Sequence, residues 1–333
     1  MPSFNSNRHP LLKGPRVAMT IGDPFGIGPE IVLKAMASRR LRGLANFLIV
    51  GDKSVLRSLS KSLKIDLELK REDLILDLNL IDKSKIRFGH PNTLSGKASL
   101  AYIDYAIRLI RDNKADCLVT APVSKNAINR TGVKFLGHTE YLAKKFKTKS
   151  FAMMLIGGPL RVTLVTRHIP INSVSSAITK REILKCIDLS HKALRKYFGI
   201  NQPKIGVASL NPHGGEGGTI GIEEERIIEP AVQEAKSRLK NIVGPISSEA
   251  LCYEAYNGKL DCIIAMYHDQ GLTPLKMIAR DESVNVTLGL PFVRTSPGHG
   301  TAFDIAGKGM ANPNSMVEAI NLAVEMIKEE GKI

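Results

Sequence analysis

Short apolar runs recur along the chain, each closed by polar residues, with longer helically repeating segments between them. The runs are RVAMTI (16–21), FLIV (47–50), CLVTA (117–121), FAMMLIG (151–157), RVTLVT (161–166), KIGVASL (204–210), CIIAMY (262–267) and VNVTLGL (284–290). Their length and β-branched content predict strands. In LAYIDYAIRLIRDN, Leu100, Ile103, Ala106 and Ile110 fall on one helical face. IEEERIIEPAVQEAKSRLK opens at Ile222, and acids fill its first turn, where the positive end of the helix dipole favours them. SMVEAINLAVEMIKEE supplies a closing helix. This alternation predicts an α/β fold built on a largely parallel sheet. Residues from about 64 to 98 are charged and irregular, and no repeat, low-complexity tract or linker divides the chain. Two lobes would therefore share crossing strands.

Composition narrows the classes. The chain has 333 residues and 43% hydrophobic content, enough for two lobes rather than one. The first twenty residues hold no apolar core of a secretory leader, and no apolar run approaches the ~20 residues of a membrane span. Cys117, Cys186, Cys252 and Cys262 are widely spaced without a C-x-x-C pair, as expected of reduced, mostly buried thiols in a cytoplasmic protein. The net charge of +15 suits an anionic partner. Lys144, Lys145, Lys147 and Lys149 cluster, but there is no Trp, no aromatic-interleaved basic stripe and no zinc-finger or RNP pattern. A small anionic substrate is expected, with no nucleic acid and no membrane as partner.

Three histidines share one context. His168 follows RVTLVTR, His213 follows KIGVASLNP and His268 follows CIIAMY, each beyond the carboxyl end of a strand, the edge at which open α/β sheets bind ligands. Three imidazoles with an open fourth position suit a catalytic divalent ion, and Asp269 suits a group orienting one ring or a further ligand. His9, His90 and His191 lack this context and read as structural or surface groups. TIGDPFGIGPE (20–30) is a glycine-rich strand-to-helix turn, with Pro29 suited to the first helical turn. It is neither a P-loop nor a G-x-G-x-x-G fingerprint. NPHGGEGGTIGIEEE (211–225) is a second glycine-rich loop before a helix, placed either to approach an anion or simply to be mobile. GHTEYLA (137–143) places His138 and Thr139 at a helix start, where Thr139 either caps the helix or helps hold an anion. Farther on, Lys276, Asn285 and Arg294 are spread through a polar stretch, with Arg294 expected in a turn beyond a strand. Arginine suits bidentate phosphate recognition and lysine supplies a point charge.

Taken in order, GDPFGIGPE, TAPVSK, GHTEYLA, TRHIPI, NPHGGEGG, MYHDQGL and VNVTLGLPFVRTSPGHGTAFDIAGKG resemble the 4-hydroxythreonine-4-phosphate dehydrogenase family of vitamin B6 biosynthesis. The resemblance runs from about Val17 to Met326. HGTAFDIAGKGMANP is similar to a segment of isocitrate and isopropylmalate dehydrogenases. The resemblance implies their two-lobed α/β fold with mostly parallel sheets and an interlobe cleft. The lobes are expected at residues 1–128 plus 290–333 and at 129–289, the second carrying the metal histidines. It implies His168, His213 and His268 as ligands of a divalent metal (Zn, Mg or Co) in a site completed across a homodimer. It implies His138, Thr139, Lys276, Asn285 and Arg294 as substrate-binding residues. His299, Gly300, Thr301 and Asn312 are expected to contact NAD or NADP, and Asp269 and Lys276 are candidate catalytic groups. The implied reaction is oxidation of 4-phosphohydroxy-L-threonine followed by decarboxylation. The alternative is a related dehydrogenase of threonate or erythronate 4-phosphate. Two positions depart from the family pattern: Glu249 stands where an aspartate is usual, and Gly298 where an aspartate precedes the His-Gly-Thr-Ala run.

Overall fold

The computed structural model describes residues 14–65 and 75–332, so His9 and part of the irregular 64–98 stretch lie outside the described residues. The chain forms two compact units, Met1–Phe146 with Pro291–Lys328, and Lys147–Leu290 with Glu329–Ile333. The first division was expected near residue 128. It falls at Phe146, so that the helix His138–Lys145 also belongs to the first unit. Tyr141 Oη donates to Asp104 at 2.7 Å, and a β-carbon on Gly96 would stand 2.1 Å from the Ala127 carbonyl oxygen.

The first unit begins with β1 (Arg16–Thr20), α1 (Gly28–Ala37), β2 (Asn46–Gly51), α2 (Lys53–Leu63), β3 (Ile75–Asp77), α3 (Thr93–Arg111), β4 (Cys117–Thr120), α4 (Lys125–Asn129) and α5 (His138–Lys145). The second holds β5 (Ala152–Gly157), β6 (Leu160–Leu164), α6 (Val174–Ala177), α7 (Lys180–Phe198), β7 (Ile205–Ala208), α8 (Glu229–Arg238), β8 (Ile242–Ile246), α9 (Ser248–Tyr256), β9 (Cys262–Ala265), α10 (His268–Ala279) and β10 (Val284–Leu288). The first unit resumes with β11 (Val293–Pro297) and α11 (Asn314–Glu330).

Strands of the first unit lie in the order β3-β2-β1-β4-β11, and the pairs are parallel. In the second unit the order is β10-β5-β6-β9-β7-β8, parallel except that β5 runs against both of its neighbours. Parallel strands covered on both faces need continuous apolar sequence, and β4 and β9 are buried at every position. Helices present apolar stripes to this sheet: Met316, Val317, Ile320, Ala323 and Val324 of α11 recur at helical spacing and are buried. In the second unit Leu160, Val162, Leu164, Leu251 and Leu275 are fully enclosed, each stabilising by roughly 1.5–3 kcal/mol on area removed from water.

Two polar devices fix loops of the first unit. Glu30, fully buried on α1, accepts from the backbone amides of Gly309 and Ala311. Lys34, one turn on, pairs with Glu30 at 2.8 Å and donates to the carbonyls of Gly309 and Ala311, both at 2.7 Å. Thr301 is tied to the same helix by Ile27 N–H donating to its carbonyl at 3.0 Å. Segment 301–311 is thus anchored to α1 near both ends. The cysteines are free thiols, and Cys117, Cys186 and Cys262 are buried. Burial pushes the thiol of Cys186 up to about 12 and that of Cys262 up to about 11. Among the described residues no helix is long and apolar enough to cross a membrane.

Candidate functional site

The first unit builds a cationic pocket around Arg294. This residue was expected in a turn, but it lies inside β11, paired with Leu118 of β4, and is 2% exposed. The sequence VRTSP looks like loop because it is polar, yet all five residues are buried and Thr295 Oγ1 donates to the Ala319 carbonyl at 2.7 Å. Arg294 Nη2 donates to Thr120 Oγ1 at 2.6 Å. Burial lowers its pKa to about 9, with the nearby Glu140 carboxylate opposing the shift. A desolvated guanidinium retained in this way is suited to an anionic ligand.

His138 opens α5. Gly137, rather than Thr139, occupies the capping position, and Thr139 is buried with 3% exposure in the first turn. His138 Nε2 is shut off from solvent and has no hydrogen-bond partner among the described residues, while its ring meets Phe135 edge-on at 6.0 Å. Burial first, then the charges of Arg294 and Lys125, push its pKa well below the usual value, so the ring is neutral. Lys125 did not stand out in the sequence as a site residue. Its signal was the TAPVSK motif, which places a lysine directly after the Ser124 cap of α4, just beyond the carboxyl end of β4.

In the second unit α10 presents His268 as its first residue. His268 Nδ1 donates to Asp269 Oδ1 at 2.6 Å, which leaves the Nε2 lone pair to coordinate a cation. The His168 ring lies beside it, with centroids 5.6 Å apart. Both His168 and His213 take left-handed backbone (φ 51°), uncommon for a residue with a side chain and a sign that their positions are imposed by the surrounding turns. Two imidazoles of the expected triad are therefore neighbours, and the donor type fits a divalent cation. His213 is not gathered with them: among the described residues no three His, Cys, Asp or Glu side chains stand close enough to hold a metal ion. His213 sits on the glycine-rich loop, 72% exposed in its side chain, and its Nδ1 donates to Glu216 at 2.6 Å. Glu224 holds the root of that loop through the amides of Leu210 and Asn211 at 2.7 and 2.8 Å.

Gln270, which sequence reasoning missed, ties three elements together. Its oxygen accepts from Met266 N–H at 2.6 Å, and its amide nitrogen donates to the Ser209 carbonyl and Ser248 Oγ, both at 2.7 Å. Lys276 and Asp269 line one open cavity of about 360 Å³ with His268, Leu272, Thr273 and Met277. Asn285, on β10, has its Oδ1 enclosed without a donor. Glu249 lies exposed in the first turn of α9, its carboxyl held low by Ser247 and, more weakly, by His213.

The expected cofactor residues follow β11. His299 Nδ1 faces the Gly300 carbonyl at 3.1 Å, and Asn312 accepts from Asn314 N–H at 3.0 Å. Gly298 N–H donates to Ser315 Oγ at 3.0 Å. A β-carbon on Gly300 would meet nothing, so that backbone is open. The segment offers polar groups on an anchored frame, which fits a nicotinamide nucleotide in kind.

Comparison with known proteins gives the site its context. Residues 43–323 match the family described as pyridoxal phosphate biosynthetic protein PdxA. A 4-hydroxythreonine-4-phosphate dehydrogenase of Desulforapulum autotrophicum is 42% identical over 326 residues, 93% of this chain and 94% of that protein. A protein of Oceanobacillus iheyensis, provisionally named a D-threonate 4-phosphate dehydrogenase, is 38% identical over 331 residues, 95% of this chain and 99% of its own length. The crystal structure of 4-hydroxythreonine-4-phosphate dehydrogenase from Klebsiella pneumoniae superposes with a TM-score of 0.84 at 34% identity, covering 94% of this chain and 100% of that one. Isocitrate dehydrogenase from Methylococcus capsulatus shares the fold alone, with a TM-score of 0.51 at 15% identity over 95% of this chain and 86% of that one. An α/β chain with an isocitrate dehydrogenase-like fold and this degree of likeness belongs to the pyridoxal phosphate biosynthetic protein PdxA family and is an oxidoreductase.

Proposed function

We propose that the chain oxidises the secondary alcohol of 4-phosphohydroxy-L-threonine with NAD or NADP, in the cytoplasm, as a step of pyridoxal 5′-phosphate biosynthesis. The product is 2-amino-3-oxo-4-(phosphooxy)butanoate. Its carboxyl carbon bond then breaks, the electron pair passing to the neighbouring ketone as CO₂ leaves, and protonation gives 3-amino-2-oxopropyl phosphate. The observation that carries this reading is the buried Arg294 guanidinium beside a neutral, enclosed His138, a built receptor for a small anion.

In this reading Arg294, His138 and Thr139 hold the phosphate, and Lys276 and Asn285 hold other polar groups of the substrate. Asn285 Oδ1 lacks a donor, which suits an incoming hydroxyl or ammonium. His168 and His268, with His213, hold a divalent cation (zinc, magnesium or cobalt), the set being completed across a homodimer. His299, Gly300, Thr301 and Asn312 contact the nucleotide. When bound, the nicotinamide accepts the hydride and the cation lowers the pKa of the alcohol. Asp269 and Lys276 are the candidate acceptors for the hydroxyl proton. Asp269 already accepts from His268 Nδ1, so it also keeps that ring oriented.

The relative named for D-threonate 4-phosphate favours a second reading, in which a hydroxyl replaces the amino group next to the carboxylate. Nicotinamide reduction followed with both phosphorylated acids side by side separates the two. Turnover of the amino substrate at the higher kcat/KM is expected, and turnover of the threonate ester alone would replace this reading with the second.

A further inference from the structure

We infer that Lys125 is a direct ligand of the substrate's phosphate and the residue that sets the preference for a phosphorylated over an unphosphorylated acid; this rests on the proposed anion site around Arg294.

The root of Lys125 is fixed. Ser124 caps α4 by accepting from Ala127 N–H at 3.1 Å. The segment before it is held to the β1–α1 turn, where Asp23 N–H donates to the Pro122 carbonyl at 2.9 Å and the Asp23 carboxyl accepts from the Ser124 amide. From this root the side chain runs to the start of α5. A β-carbon on Gly137 would stand 3.6 Å from Lys125 Cε, 3.8 Å from its Nζ and 3.1 Å from Glu140 Oε2. The lysine thus ends close to Gly137, beside the first amides of α5, where the dipole also favours negative charge.

Charge completes the argument. His138 feels both Arg294 and Lys125 as positive neighbours, so the two cations flank one enclosed imidazole whose Nε2 has no partner. Glu140 is the carboxylate that bears on Arg294. Two cations, one carboxylate and a neutral imidazole leave a single positive excess, and the helix start adds to it. A phosphate monoester carries between one and two negative charges at neutral pH and three acceptor oxygens. It can use both cations and the imidazole at once, whereas a hydroxyl terminus leaves the lysine unmatched.

Inorganic phosphate is the probe, measured by calorimetry on the full chain and as a competitive inhibitor of nicotinamide reduction. Lys125→Met is expected to weaken phosphate binding by about tenfold or more, the scale of one lost charge-assisted hydrogen bond, and to raise KM for the phosphorylated substrate more than it lowers kcat. Lys125→Arg is expected to recover most of the affinity, which a purely structural role for the α4 start would not predict. If Lys125→Met unfolds, Lys125→Gln and Lys125→Arg give the same comparison. Unchanged phosphate affinity in Lys125→Met, with affinity lost in Arg294→Met, overturns the role of Lys125 and leaves the anion site standing. No phosphate binding by the wild-type chain overturns both.

Discussion

Asp23 carries its charge at a cost because it is fully buried in the β1–α1 turn. Burial raises its pKa from 3.8 to about 6, against hydrogen bonds from Phe25, Ser95 and Ser124 that favour the charged form. The folded protein therefore binds more protons than the unfolded chain between about pH 4 and 6, so this residue's contribution falls as pH rises through that window and is level above it. The change is about 3 kcal/mol from the shift. Urea midpoints across this range should decline in wild type and stay flatter in Asp23→Asn; parallel profiles would refute the assignment. His213 differs in being exposed, and its role is the proposed one of holding a cation. His213→Ala should abolish activity and weaken retention of a divalent ion on dialysis while the melting temperature holds. Normal turnover would remove His213 from the site. The positions of His168, His213 and His268 just beyond strand ends were legible in the sequence. What the sequence could not supply was distance: that His168 and His268 are adjacent, that His213 turns to Glu216, and that Arg294 is buried.

At the level of elements, apolar continuity found the long buried strands and little else. β3 spans three residues, β8 contains Gly244 and Pro245, and β11 carries Arg294, Thr295 and Ser296, so none has the continuous apolar signal of a buried strand. The helix predicted from Ile222 opens with a π-helical turn over Glu224–Ile228 and runs on into α8, with the Glu224 carboxylate accepting from the Leu210 and Asn211 amides. Gln270 does comparable work for α10, and only an amide can both accept from Met266 and donate to Ser209 and Ser248. Gln270→Glu places a carboxylate oxygen against the Ser209 carbonyl. It should cost about 1–3 kcal/mol in urea titration, whereas a wild-type midpoint would show the knot to be unimportant.

For the whole molecule, the excess of 15 positive charges agrees with a small anionic substrate. Long-range attraction raises association rates and is screened within a Debye length of about 10 Å at 0.1 M salt. The kcat/KM for the phosphorylated substrate should therefore fall several-fold from low to physiological ionic strength, with kcat nearly constant. Salt-independent kcat/KM would mean that the surface charge plays no part in capture. The buried thiols offer a different handle. Cys117 lies in β4, and Cys186 and Cys262 lie in α7 and β9, one sulfur in the first unit and two in the second. Thiolates are the reactive species, and these groups ionise so reluctantly that alkylating reagents meet them only when the surrounding structure opens. Nature has thus placed internal clocks in each half of the polypeptide, and mass spectrometry of timed alkylation would read how often either half breathes.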